Sequence, residues 1–159
     1  MNLSHYGASV REVIALEPAR RLIAMAQRRA RAGTVPVSFV AASAEEIPLH
    51  TASVDSVVTS WSLCTIRQVD QALVEMRRVL RPGGRLFFVE HGLAPDERVR
   101  RWQDRLTPVW SRVSGGCHLN RPIAKLIEDA GFHVDRLQAG YMPGPKLMTY
   151  MYEGNAVPR

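Results

Sequence analysis

The sequence predicts an α/β fold: a mostly parallel sheet with helices on both faces and an antiparallel hairpin at its C-terminal edge. Three observations predict it. Strand-like and helix-like patterns alternate along the chain, which calls for parallel strands joined by helical crossovers. In the stretch Leu80-Arg-Pro-Gly-Gly-Arg-Leu-Phe-Phe-Val-Glu-His91, a helix pattern runs into Pro82-Gly83-Gly84 and stops, and an apolar run from Leu86 to Val89 follows at once. That run lacks polar alternation, as expected of a strand buried on both faces. Finally, the last two strand patterns are joined by a loop, so they pair as a hairpin. At 159 residues the chain is read as one domain, residues 1–159, large enough for a real core.

The elements follow in order. Residues 10–16 are apolar and rich in β-formers, ending in Glu17-Pro18. Residues 19–32 are helical, with Leu22, Ile23, Met25 and Ala26 on one face, arginines on the other and Gly33 as the stop. Residues 37–41 and 54–59 are strands. Residues 69–80 are a helix with Leu73, Met76 and Leu80 facing inward, and residues 85–90 are the buried strand. Residues 97–110 are helical, with Trp102, Leu106, Val109 and Trp110 as the apolar face. A helix over residues 121–130, capped by Asn120 with Pro122 in its first turn, closes at Gly131. Strands over residues 132–137 and 147–154 complete the series. The strands beginning near Val10, Val37, Val54 and Arg85 are expected to share one sheet.

Composition narrows the function classes. Hydrophobic residues make up 46% of the chain, which argues for a globular protein. No apolar run approaches the roughly 18 residues of a membrane span, and nothing resembles a signal peptide. Cys64 and Cys117 sit in no metal-ligand spacing, so no metal is expected, the thiols are read as reduced, and the protein is placed in the cytoplasm. The net charge is +6, with 19 arginines and 2 lysines. No aromatic residues interleave with the first arginine cluster, so solvated helix faces are preferred over a nucleic-acid or membrane partner.

The segments "VLRPGGRLFFVEH", "VIALEPARRLIAMAQRRA" and "VSFVAASAEEIPLHTASVDSVVTSWSL" together resemble the class I S-adenosylmethionine-dependent methyltransferases, of Rossmann-like fold. "WQDRLTPVW", "SGGCHLNRP" and "YMPGPKLMTYMYEGNA" are similar to the branch related to alkyl-thiol methyltransferases, and more loosely to the ubiquinone and phospholipid methyltransferases. The resemblance implies S-adenosylmethionine as cofactor. It implies that Glu17, at the carboxyl end of the first strand, accepts hydrogen bonds from the ribose hydroxyls. The rival reading is a surface carboxylate favoured by the helix start. Ser43, Ala44 and Glu45 would read the adenine edge, with Ile47 and Pro48 closing one side of the ring. Asp55 is read as structural, and Thr59, Ser60 and Trp61 would line the pocket near the methyl donor.

A sulfonium methyl is already electrophilic, so the protein need only align an acceptor and exclude water, with a base if a proton must leave. His91 is the first candidate base and His118 the second. For His91 the alternative is a polar pocket wall or loop anchor. Residues 102–110 and the loop 141–145 would cover a small apolar acceptor: a thiol, phenol or amine.

One expected motif does not stand in this sequence. A strand ending in a glycine-rich loop, which lets backbone approach the methionine part of the cofactor, should precede everything here. The chain opens at Met1-Asn-Leu-Ser-His-Tyr6, a segment that follows that loop in relatives. The preferred reading is an N-terminally incomplete domain that binds S-adenosylmethionine weakly. The alternatives are a non-catalytic binding or partner subunit, and a strand supplied by another chain. Sheet edges left open would favour pairing with a second copy.

Overall fold

The computed structural model describes residues 6–7, 9–31, 33 and 35–159. Residues 1–5 of the opening segment, and Ala32 at the expected end of the first helix, lie outside them. Two compact units divide the chain, Met1–Pro48 and Leu49–Arg159. The first holds β1 (Val13–Leu16), α1 (Arg20–Ala30) and β2 (Val37–Val40). The second holds β3 (Val54–Ser60), α2 (Val69–Val79), β4 (Leu80–His91), α3 (Glu97–Val113), α4 (Ile123–Asp129), β5 (Phe132–Tyr141) and β6 (Tyr150–Pro158).

The α/β class and the C-terminal antiparallel pair stand as predicted, but the single sheet does not. β1 and β2 form a parallel two-stranded sheet, and the second sheet is four-stranded in the order β3-β4-β6-β5. β3 and β4 are parallel, whereas β6 runs antiparallel to both β4 and β5. A sheet propagates only through ladder hydrogen bonds to the next strand. Among the described residues, β1 and β3 each pair on one side only, with β2 and β4.

α2 buries the stripe its sequence announces, with Leu73 fully buried and Met76 nearly so; Leu80, expected as its last inward residue, is buried as the first residue of β4. Contrary to expectation, Pro82-Gly83-Gly84 does not separate helix from strand: α2 ends at Val79, and β4 begins at Leu80 and runs through it. The segment is absorbed as an irregularity between the Val54↔Leu80 and Ser56↔Arg85 pairs, with Gly83 at φ +80°. Leu86 and Phe88 point into the core and alternate with exposed Phe87 and Val89, so the run is half-buried rather than buried on both faces. The expected faces of two helices also change. α1 buries none of its residues, and Leu22 and Met25 are exposed. α3 exposes Trp102, Leu106 and Val109 and buries Gln103 and Thr107 instead. The reason lies in Gln103, whose amide accepts from Ala94 N (3.0 Å) and donates to the carbonyls of Gly92 and Leu147 (3.1 Å each). A buried amide that satisfies three backbone groups fixes the helix rotation more firmly than an apolar stripe does. Among the described residues no helix is long and apolar enough to cross a membrane.

Arg85 ties the sheet together on its exposed side, donating to Asp135 Oδ2 (2.7 Å) and Asn155 Oδ1 (2.9 Å). Both ends of the ion pair are about half exposed, so Arg85→Ala is expected to cost no more than about 1 kcal/mol in urea denaturation.

Candidate active site

The site grows out of the carboxyl ends of β3 and β4. β3 exits through Trp61, which sits at φ +54°, unusual for a side chain of this size, and donates its N–H to Val89 O at 3.0 Å. The turn that follows is built on Glu90, whose side chain is fully buried. Its carboxylate accepts from Thr59 Oγ1 (2.6 Å), Ser62 N (3.0 Å) and Leu63 N (3.2 Å). Burial pushes the Glu90 carboxyl above its usual range, and these hydrogen bonds oppose the shift. Cys64 stands in the same turn, buried.

His91 closes β4. It is 4% exposed, its ring lies 5.4 Å from that of Trp61, and burial lowers its pKa. Its Nε2 is 3.2 Å from Cys117 Sγ, while Nδ1 is buried with no hydrogen-bond partner among the described residues. Cys117 comes from the loop after α3. That loop turns through Gly115 and Gly116 at φ +68° and +94°, the left-handed region where a Cβ is unfavourable. It is fastened by Gly116 N to Ser111 O (2.8 Å) and by His118 N to Cys64 O (2.8 Å). The Arg121 guanidinium donates to Leu63 O from the other side.

Between these segments lies a cavity of about 280 Å³ whose wall includes Trp61, Cys64, His91, Trp110, Cys117 and Met148. Trp110 Nε1, a donor only, is buried in that wall with no partner among the described residues.

The candidate residues fall into two groups, one per unit. In Met1–Pro48, Glu17 follows the last β1–β2 pair, Leu16↔Val40, and donates its N–H to Val40 O at 3.1 Å. The segment 43–45 leaves the same end of β2. One Glu17 oxygen accepts from Ala19 N (2.9 Å), the helix-start contact of the rival reading; the other accepts no hydrogen bond among the described residues. The Ser43 hydroxyl donates to the Glu45 carboxylate. In Leu49–Arg159, Trp61 and His91 meet at the cavity. Thr59 is turned inward and spent on Glu90. Ser60 contributes its carbonyl to the Ser62 hydroxyl at 3.0 Å. His118 Nδ1 lies 2.8 Å from Gly116 O and 3.3 Å from Cys64 O, so this ring fastens the loop and is not part of the cavity wall. Tyr141 and Met142, expected to cover an acceptor, are exposed and stand outside that wall.

Cys64, Cys117 and Glu90 were not singled out from the sequence as site residues. Glu90 carried a signal: an acid directly after an apolar strand run and beside a histidine.

Comparison with known proteins gives the family. A profile described as a methyltransferase domain matches residues 1–88. A thiol S-methyltransferase of Rattus norvegicus is 38% identical over 109 residues, which is 67% of this chain and 44% of that protein. A malonyl-[acyl-carrier protein] O-methyltransferase of Methylococcus capsulatus is 31% identical over 156 residues, 92% of this chain and 53% of that protein. The chain thus spans about half the length of these curated relatives. A SAM-dependent methyltransferase structure from Methanosarcina mazei superposes with a TM-score of 0.73 at 18% identity, over 93% of this chain and 83% of that one, a likeness of fold. With its strand signature, its α/β architecture and a family match over more than half its length, the chain belongs to the methyltransferase domain family.

Proposed function

We propose that this chain transfers a methyl group from S-adenosylmethionine to a small thiol. The observation that carries this reading is the small, largely apolar cavity at the carboxyl ends of the parallel strands β3 and β4. Ligands of open α/β sheets bind at that end, and about 280 Å³ suits a small acceptor. The thiol is favoured over the phenol or amine by the 38% identity to a thiol S-methyltransferase.

The residues of the first unit fit the adenosine part of the cofactor. Glu17 and the 43–45 segment follow the adjacent ends of β1 and β2, and one Glu17 carboxylate oxygen, without a partner among the described residues, is offered to a ribose hydroxyl. The cofactor supplies an electrophilic methyl group, and the rest is positioning. Trp61, Trp110 and Met148 exclude water from the acceptor, and His91 forms the polar part of the wall.

Calorimetric titration of S-adenosylhomocysteine into a version carrying the upstream strand and glycine-rich loop, with Glu17 intact or as Glu17→Ala, tests the cofactor half. The variant should bind more weakly by about 1–3 kcal/mol, the loss expected for hydrogen bonds to a charged group. Equal affinities reject the ribose role of Glu17. For the acceptor half, methyl propyl sulfide should form from propanethiol and S-adenosylmethionine. Binding of the cofactor product without turnover of any thiol would favour a non-catalytic subunit.

A further inference from the structure

We infer that Cys64, His91 and Cys117 form a binding site for a thiophilic divalent metal ion of the zinc class, with a fourth position open to the cavity. One ligand atom from each residue lies within 4.8 Å of the other two. Tetrahedral zinc with two sulfur and one nitrogen ligand needs separations of about 3.5–3.8 Å, from its ordinary bond lengths. His91 Nε2 and Cys117 Sγ already stand 3.2 Å apart. The set is thus within about 1 Å of those separations.

The backbone is held for this purpose by contacts independent of the three side chains. The Glu90 carboxylate holds the Cys64 turn through Ser62 N and Leu63 N. His118 N, next to Cys117, is bonded to the carbonyl of Cys64 itself at 2.8 Å. His91 is the last residue of β4, paired with Met151 of β6. Three segments far apart in sequence are thus pinned at one point, which is how a metal site is pre-organised. Linear spacing could not reveal it, because no two ligands share a segment.

Packing alone is the ordinary account of a buried cysteine. It leaves two facts unexplained: two sulfurs and an imidazole converge, and all three border the same cavity. Two thiolates and a neutral imidazole around a divalent ion carry no net charge, so burial of the ion is compensated. Three protein ligands with one position left open is the pattern of reactive rather than structural zinc.

The fourth position suits a thiolate. An acceptor thiol that coordinates there loses its proton to solvent and presents sulfur as the nucleophile. This second step rests on the thiol reading proposed above; the metal site does not.

The test uses the whole chain, purified under reducing conditions and passed over a desalting column. Wild type loaded with zinc should retain about one equivalent by mass spectrometry of the metal. Cobalt(II) in its place should give intense tetrahedral ligand-field bands and thiolate-to-cobalt charge transfer. Cys117→Ser and His91→Gln should each weaken retention at least about tenfold, with circular dichroism reporting that they remain folded. Failure of wild type to retain metal overturns the site without recourse to any variant. Two fewer titratable thiols in metal-free wild type would overturn it in favour of a Cys64–Cys117 disulfide. Propanethiol added to the cobalt form should strengthen the charge-transfer band. Metal bound at full stoichiometry with a band indifferent to thiol overturns the open position alone. None of these readings uses the cofactor, so failure of the metal site is distinguishable from failure of the methyl-transfer reading.

Discussion

Glu90→Ala is expected to destabilise the second unit by about 3–5 kcal/mol, enough to unfold a marginal domain. Thr59 Oγ1, Ser62 N and Leu63 N all donate to this carboxylate. Each buried donor left without a partner costs about 1–3 kcal/mol. The Thr59 hydroxyl can rotate to another acceptor, whereas the two backbone N–H groups cannot. Alanine also leaves a cavity at a fully buried position. Glu90→Gln is the informative companion. One carboxylate oxygen serves Thr59 and Ser62, the other Leu63. Whichever way the amide turns, its NH₂ confronts a backbone N–H, so a loss of about 1–3 kcal/mol is expected where an isosteric neutral substitution would otherwise be mild. Urea denaturation followed by circular dichroism reads both. A loss below about 1 kcal/mol for Glu90→Ala would mean that the turn finds other acceptors. Because Trp61 and Cys64 sit in or beside this turn, Glu90→Gln should also disturb whatever binds in the cavity.

How much of this was legible in the sequence depends on whether the determining contact is local. The inward stripe Leu73, Met76 and Leu80 was legible, because a helix against a sheet must bury one face. The same rule misread α3, where Trp102, Leu106 and Val109 stay exposed and Gln103 is buried. Its partners, Gly92, Ala94 and Leu147, come from loops that periodicity does not see. Glu17 and the 43–45 segment were legible as a pair of strand ends, since parallel neighbours place their carboxyl ends together. His91 and Trp61 were legible for the same reason. Cys64 and Cys117 were not, because they meet through the fastening of the loop at residues 115–118 onto the Cys64 carbonyl. The single sheet failed at a long-range step as well: each of β1 and β3 pairs on one side only among the described residues, and a strand pattern says nothing of its neighbours.

The second large effect is expected where Phe88 of β4 meets Gly154 of β6. Phe88 on β4 lies opposite Gly154 on β6, and Leu137 on β5 lies opposite the same glycine from the other side. Phe88 is among the largest fully buried side chains, so Phe88→Ala should cost about 3–5 kcal/mol. Gly154 is required for a different reason. A Cβ there would fall 2.1 Å from the Arg136 carbonyl oxygen and 2.8 Å from Phe88 Cζ. Arg136 borders the irregularity in the β5–β6 register after Val134. Gly154→Ala is therefore expected to cost about 2–4 kcal/mol through overpacking. The double variant separates the two contacts. Removing the Phe88 ring relieves the 2.8 Å contact and leaves the 2.1 Å contact with backbone untouched. If the backbone contact dominates, the two costs add to within about 1 kcal/mol. If Gly154→Ala became harmless once Phe88 was alanine, the ring rather than the β5 carbonyl would be what demands glycine. The carbonyl is backbone of the paired strand β5 and yields less readily than a side chain, so additivity is the expected result.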